Sequence, residues 1–230
     1  MIKKHSLHGF LGAPGDWSLL DHATTWDLFS NDSLSNDSLE SWARWFNAQH
    51  QIGPPKLLMG YSLGGRLALH ALIQNPSAWS GAVIISTHPG LQFLPERQMR
   101  LEHDHQWAKR FITDPWDQLI NDWNQQSVFD ADQPLVLNEQ NFDRTKLYRM
   151  MTQWSLGTQS NLRSQIADLD LPILWVSGEN DVKFRKLAEG VTLSHPHSKF
   201  WIAPQVGHRV HCVQQESFIN RLNEFEESLC

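Results

Sequence analysis

The stretch LLMGYSLGGRLAL, residues 57–69, constrains the fold more than any other part of the chain. An apolar run leads up to Gly60, a serine follows two positions later, and from Leu63 the pattern becomes helical. A strand that turns through Gly60-Tyr61-Ser62-Leu63-Gly64-Gly65 straight into a helix needs small residues on both sides of the serine, because strand and helix approach closely there. Such a turn strains the serine backbone and aims the positive end of the helix at the site. Ser62 is therefore a candidate nucleophile or proton carrier. The plain alternative, a glycine-containing strand-to-helix turn, is weakened by the elements on either side.

The rest of the chain alternates in the same way. KKHSLHGF reads as a short strand ending in a glycine turn, and APGDWSLL as a helix with Asp16 as its N-cap. ATTWDLF is a candidate strand. The tandem SNDSLSNDSL, Ser30 to Leu39, is a polar loop or helix entry; Ser38 or Asp37 would cap a helix on which Leu39, Trp42, Trp45 and Phe46 recur at helical spacing. GGRLALHALIQNP is a helix closed by Asn75-Pro76. SGAVIISTHPG, LPILWVSGEND and SKFWIAPQVGH are further strands, KFRKLAEGV is a helix, and QESFINRLNEFEESL is an amphipathic terminal helix. From about 90 to 157 the chain is charged, Trp-rich and helical in period. The alternation predicts one α/β domain over residues 1–230, with a mostly parallel sheet flanked by helices. Its core would comprise about 1–89 and 158–230. A helical cap insertion, about 90–157, would lie over the C-terminal edge of the sheet, where open α/β sheets bind ligands.

Composition narrows the function. The net charge of -6 argues against broad nucleic-acid binding but allows a small anionic substrate, since a few arginines in one pocket outweigh a mildly acidic surface. The apolar runs GAVII and LPILWV are too short to span a membrane, and MIKKHSLHGF lacks the apolar run of a signal peptide. Of the two cysteines, Cys212 and Cys230, the second is the last residue, so no structural disulfide is expected and the chain reads as cytoplasmic. The close pairs His5/His8, His103/His105 and His195/His197 come without the carboxylates or cysteines of a zinc site. They read as surface or packing histidines, and neither metal nor cofactor is expected. Eleven tryptophans are available for the core or for flat apolar pocket walls.

A serine base system needs a histidine and an acid, in the chain order serine, acid, histidine for this architecture. Asp181 closes the strand segment ILWVSGEND and His208 closes APQVGH, so both face the edge that carries Ser62. His208 would take the serine proton, and Asp181 would fix the imidazole tautomer. Glu179, nearer its strand, is the weaker acid candidate, and His211, beyond the Gly207 turn, the second choice of base. The main-chain N–H groups of Leu63 and of Phe10, in HGF, would stabilise a developing oxyanion, typically by about 3 kcal/mol each.

Beyond these local patterns, LHGFLG, GYSLGGRLAL, THPGLQ, ERQMRLEHDHQWAKRF, DWNQQSVF, SLGTQSNL, GENDVKFRKLA and the final GH are spread from residue 7 to residue 208. In these segments the chain resembles the 2-succinyl-6-hydroxy-2,4-cyclohexadiene-1-carboxylate synthase family of menaquinone biosynthesis, which has the α/β-hydrolase fold. HPGLQ, DWNQQSVF and SLGTQ discriminate best, because general esterases lack the insertion. The resemblance implies a lyase that removes pyruvate from an enolpyruvyl cyclohexene carboxylate. It also implies that Tyr61, Arg66, Arg100, Trp123 and Lys183 bind a carboxylate-rich substrate. Arg144 is the nearest counterpart of a further pocket arginine. The chain departs from the pattern in three places: that further arginine has no counterpart without a gap in the alignment, and two segments differ. Only about seven residues precede HGF, where such folds usually carry two more strands, and DLFSNDSLSND replaces the usual DLPGHG turn. A carboxylesterase or thioesterase with the same triad, acting for example on an acyl-carrier-protein ester, is the competing enzyme reading. A non-catalytic ligand-binding protein of this fold is the competing non-enzyme one.

Overall fold

The computed structural model describes residues 2–20, 22–50 and 55–229. Six strands form one sheet: β1 (Lys3–Leu7), β2 (Ala23–Trp26), β3 (Lys56–Tyr61), β4 (Gly81–Ile85), β5 (Ile173–Gly178) and β6 (Lys199–Ala203). Their order is β2-β1-β3-β4-β5-β6, and every neighbouring pair is parallel, so the sheet expected to be mostly parallel is wholly so among the described residues. β3, β4 and β5 are buried throughout, which is why they read as continuous apolar runs.

Period-two alternation sends their side chains to two different cores. Leu57, Met59, Tyr61, Val83, Ile85, Leu174 and Val176 pack on one face with Trp17, Phe218 and Phe225. Leu58, Ala82, Ile84, Ile173 and Trp175 pack on the other face with Trp42, Phe46, Leu67 and Trp79. The helices that cover these faces are α1 (Asn31–Leu34), α2 (Leu39–Ala48), α3 (Leu63–Gln74), α7 (Arg163–Ala167), α8 (Val182–Glu189), α9 (Val210–Val213) and α10 (Gln215–Glu227). Between β4 and β5 lie α4 (Leu94–Thr113), α5 (Trp116–Asn124) and α6 (Arg144–Gln153), with no strand among them. This segment packs around a separate apolar cluster, built on Trp107, Phe111, Trp116, Leu119, Trp123 and Leu147, that also takes in Leu11 of the loop after β1.

The tandem pentapeptide folds in two ways. In the first copy Ser30 caps α1, its Oγ accepting from the Ser33 N–H. In the second copy Ser38, not Asp37, caps α2; Ser38 and Ser41 exchange side-chain and main-chain hydrogen bonds. APGDWSLL does not form the expected helix with an Asp16 cap. Only Pro14–Trp17 coils, as a single 3-10 turn, and the Asp16 carboxylate reaches back to the Ala13 N–H. Pro14 and Gly15 start a turn there, and the chain continues in a separate turn, Leu20 N–H to the Trp17 carbonyl at 2.9 Å, instead of extending the helix. Cys212 is a free thiol, while the expectation about Cys230 lies outside the described residues. Among the described residues no helix is long and apolar enough to cross a membrane.

Candidate active site

Ser62 sits between β3 and α3 with φ 53° and ψ -109°, the left-handed half of backbone space that a serine rarely occupies. The flanking glycines make the turn possible. A Cβ on Gly60 would lie 2.5 Å from the Gly64 carbonyl oxygen, and one on Gly64 would run into the Leu7 and His8 carbonyls of β1 and its loop. The serine main chain is fixed as well, its N–H donating to the Ile85 carbonyl of β4 at 2.9 Å.

The loops after β5 and β6 bring two more groups to the same edge. His208 Nε2 lies 3.2 Å from Ser62 Oγ, and His208 Nδ1 lies 2.6 Å from Asp181 Oδ2. The other Asp181 oxygen accepts from the Phe184 N–H at 3.2 Å, capping α8. With Asp181 accepting, Nδ1 carries the proton and Nε2 is left as the acceptor for the serine hydroxyl. The imidazole also packs against Phe184, ring centroids 4.5 Å apart. Glu179 turns away from this line, its carboxylate accepting the Gln205 N–H. His211 stacks on Trp17 behind Tyr61, fully buried, with its pKa pushed down to about 3 by burial.

A cavity of about 350 Å³ opens over Ser62 and His208. Phe10 and Leu63 line it; Leu63 is the first residue of α3, so its N–H has no carbonyl one helical turn earlier. The loop that carries Phe10 is pinned by His8, whose Nδ1 donates to the Gly9 carbonyl and whose Nε2 accepts from the Leu28 N–H.

Arg66, one turn beyond the serine, is 8 % exposed and reaches the cavity. Its Nε donates to Gln159 Oε1 at 2.5 Å and its Nη2 to the Trp154 carbonyl at 2.9 Å. Both acceptors are neutral, and among the described residues no carboxylate forms an ion pair with it. Burial, with Arg100 adding repulsion, lowers its pKa to about 9, which still leaves it charged near neutrality.

Arg100, Trp123 and Lys183 also line the cavity. Arg100 donates to Asp104 Oδ1 at 2.7 Å, and burial lowers the Lys183 pKa. One expected binding residue, Tyr61, and Arg144, whose reach to the pocket the sequence left open, lie outside the cavity lining. Tyr61 belongs to the core under the site; its ring packs against His208 and His211, and burial raises its phenol pKa. It is the last residue of β3, and its side chain follows Leu57 and Met59 to the α10 face, away from the cavity. Arg144 caps the far end of the helical segment, bound to Glu139 and to the carbonyls of Phe111 and Asp114.

Sequence reasoning missed several lining residues. Asp104 is 2 % exposed, and its second oxygen accepts from Ser155 Oγ at 2.7 Å. His88 and Phe129 line the cavity too, and Gln159, wholly buried, orients Arg66. Their motifs were visible, but nothing local in HPGLQ or SLGTQ says that one side chain meets a guanidinium 93 positions away. Among the described residues no cluster of three or more His, Cys, Asp or Glu could hold a metal ion.

A serine on a strained strand-to-helix turn, in line with a histidine and an aspartate from later loops of a parallel sheet, defines the α/β hydrolases. The model of the alpha/beta hydrolase family matches residues 7–219, so the chain is one of them. Among curated proteins, the 2-succinyl-6-hydroxy-2,4-cyclohexadiene-1-carboxylate synthase of Photorhabdus laumondii is 32% identical, over 95% of this chain and 83% of its own length. The enzyme of the same name from Serratia proteamaculans is 31% identical, over 95% and 91%. The chain belongs to this synthase family. The solved structure of MenH from S. aureus superposes with a TM-score of 0.88 at 23% identity, covering 99% of this chain and 94% of that one, which shows the shared fold.

Proposed function

We propose that the protein is a carbon–oxygen lyase that eliminates pyruvate from 2-succinyl-5-enolpyruvyl-6-hydroxy-3-cyclohexene-1-carboxylate, giving 2-succinyl-6-hydroxy-2,4-cyclohexadiene-1-carboxylate. The proton on the ring carbon next to the succinyl ketone passes to the Ser62–His208 pair. Its electron pair forms an enolate, and the enolate oxygen is stabilised by the N–H groups of Phe10 and Leu63. Collapse of the enolate forms a C2–C3 double bond, shifts the existing ring double bond from C3–C4 to C4–C5, and breaks the bond from C5 to the enolpyruvyl oxygen. The leaving group departs as the enolate of pyruvate and takes up a proton. Asp181 holds His208 in the tautomer that accepts from Ser62 and stabilises the imidazolium formed when the proton arrives. Arg66, Arg100 and Lys183 hold the substrate carboxylates, and Trp123 supplies a flat wall.

The observation that carries this reading is the buried Arg66 guanidinium, facing the cavity with neutral partners only. A hydrolase of neutral esters has no use for a buried cavity cation whose hydrogen bonds go only to neutral groups; a substrate with several carboxylates supplies a direct ionic partner, beyond the longer-range attraction of Asp104 and Glu40. The reading makes the protein cytoplasmic, with a small molecule and not a nucleic acid as its partner.

The test is pyruvate release from the enolpyruvyl substrate, generated in situ by the preceding enzyme and measured against a no-enzyme blank. Fast release that Ser62→Ala abolishes supports the lyase. Release at the blank rate, from a protein that still cleaves activated esters, moves the function to an esterase.

A further inference from the structure

His208 is held by two carboxylates. Asp181 takes the ring, and the second comes from the helical segment between β4 and β5. Asp132 Oδ2 accepts the main-chain N–H of His208 at 3.1 Å, and Asp132 Oδ1 accepts that of Arg209 at 3.3 Å. These N–H groups lead into α9, where no earlier helical turn supplies carbonyls for them. A side chain 76 residues earlier thus does what a local cap residue does at an ordinary helix start. The approach is close: a Cβ on Gly207 would lie 2.7 Å from Asp132 Oδ1, so any larger residue there pushes the carboxylate off.

Arg209 closes the same joint from the other side. Its Nη1 donates to the Gln133 carbonyl at 2.6 Å, and its guanidinium lies 4.6 Å from the Phe129 ring centroid. Phe129 in turn lines the cavity, its ring centroid 5.8 Å from that of His208. The stretch from Phe129 to Gln133 is therefore fastened to the histidine turn by two carboxylate bonds to backbone, one guanidinium bond and a cation–π contact.

We propose that Asp132 is a positioning residue for His208: it fixes the main chain of the histidine, and so makes the Ser62–His208 hydrogen bond depend on docking of the helical segment. The proposal rests on the reading of Ser62 and His208 as the working pair, but not on the identity of the substrate. The physical ground is leverage. A small movement of the His208 main chain is carried to Nε2, and proton transfer requires Nε2 within hydrogen-bond reach of Ser62 Oγ. Carboxylate-to-N–H bonds are charge-assisted, which makes them suited to holding a loop beyond the end of its strand.

The experiment measures how fast a p-nitrophenyl phosphonate labels Ser62, followed by p-nitrophenolate release and by mass. This readout reports the serine–histidine pair without needing the native substrate. Asp132→Ala is compared with Asp132→Asn, which keeps one acceptor, and with Asp143→Ala. Asp143 caps α6 in the same segment through the N–H groups of Thr145 and Lys146 and does not touch the histidine turn. Expected is labelling at least about tenfold slower in Asp132→Ala, an intermediate rate in Asp132→Asn, and the wild-type rate in Asp143→Ala. For pyruvate release, Asp132→Ala lowers kcat and leaves KM within about twofold.

Labelling of Asp132→Ala at the wild-type rate overturns the proposal. Equal slowing in Asp132→Ala and Asp143→Ala also overturns it, because it reduces Asp132 to general support of the segment. Should Asp132→Ala fail to fold, Asp132→Asn decides, with the wild-type rate again the contrary result. A wild-type protein that resists labelling altogether removes the working pair itself, an outcome distinct from any difference among variants.

Discussion

The edge of the sheet and the helical segment above it hold their functional groups by different means. At the sheet edge the backbone does the holding. Ser62 is strained into place by β3 and α3, its N–H tied to β4, with Gly60 and Gly64 in contact with neighbouring main chain. In the helical segment and just past it, side chains do most of the holding: Asp104 binds Arg100 and Ser155, and Gln159 binds Arg66, which also donates to the Trp154 carbonyl. Backbone sterics tolerate almost no variation, whereas side-chain networks can be rebuilt with other residues. In the proposed reading, the serine therefore sits on the part that cannot move, and most of the side-chain contacts around the pocket sit on the part that can be retuned.

The comparison can be broken first at the sheet edge. Ser62→Ala and His208→Ala should each lower kcat for pyruvate release by at least about 10²-fold with the circular-dichroism spectrum unchanged. Wild-type turnover in both would dismiss the triad. The next largest effect belongs to the pocket wall. Arg66→Ala removes a buried charge-assisted contact, which should cost roughly ten- to a hundredfold in kcat/KM for the carboxylate-rich substrate. Its effect on labelling of Ser62 by a neutral phosphonate should be small. Equal damage to both would mean that Arg66 supports the fold and not the substrate.

A third contrast is electrostatic. His5, His50, His70, His88 and His211 are buried around the sheet, and burial, the largest cause in each case, pushes their pKa values down to about 3, 4, 4, 2 and 3. In the helical segment His103 and His105 are exposed. An unfolded chain protonates histidine near pH 6.5, and the folded chain protonates these five only well below that. Between those limits the unfolded state binds more protons, so stability falls as the pH drops from about 6.5 towards 4. The urea midpoint should be lower at pH 5 than at pH 7.5; equal midpoints would refute neutral burial. The smallest effect is expected at Arg144→Ala. That arginine is bound to Glu139 and two carbonyls outside the cavity, so KM should stay within about twofold of wild type.

Much of this was legible because the constraints are local. Strands β3, β4 and β5 announce themselves as apolar runs, and a turn that needs glycine two residues either side of a serine leaves its signature in six letters. The strand-end positions of Asp181 and His208 follow from the same alternation. Local pattern failed where a short segment had more than one physical option. The two SNDSL copies are identical, yet one is capped by its first serine and the other by its fourth residue, because the chain that follows each differs. Tyr61 shows the same limit: its neighbour Ser62 faces the cavity, while the strand's alternation sends Tyr61 into the core.

The sequence by itself determined the alternation of strands and helices, the strained serine and the order in which acid and histidine follow it. Each of these depends on residues within a few positions of one another, or on chain order. Only the tertiary structure decided which side chains meet across the long separations. Gln159 on Arg66, Ser155 on Asp104 and Asp132 on the His208 backbone are 93, 51 and 76 positions apart. Those pairings exist because the packed sheet and helices bring the groups together after burial has excluded water. A buried charge or N–H then takes whatever partner the fold has placed within reach.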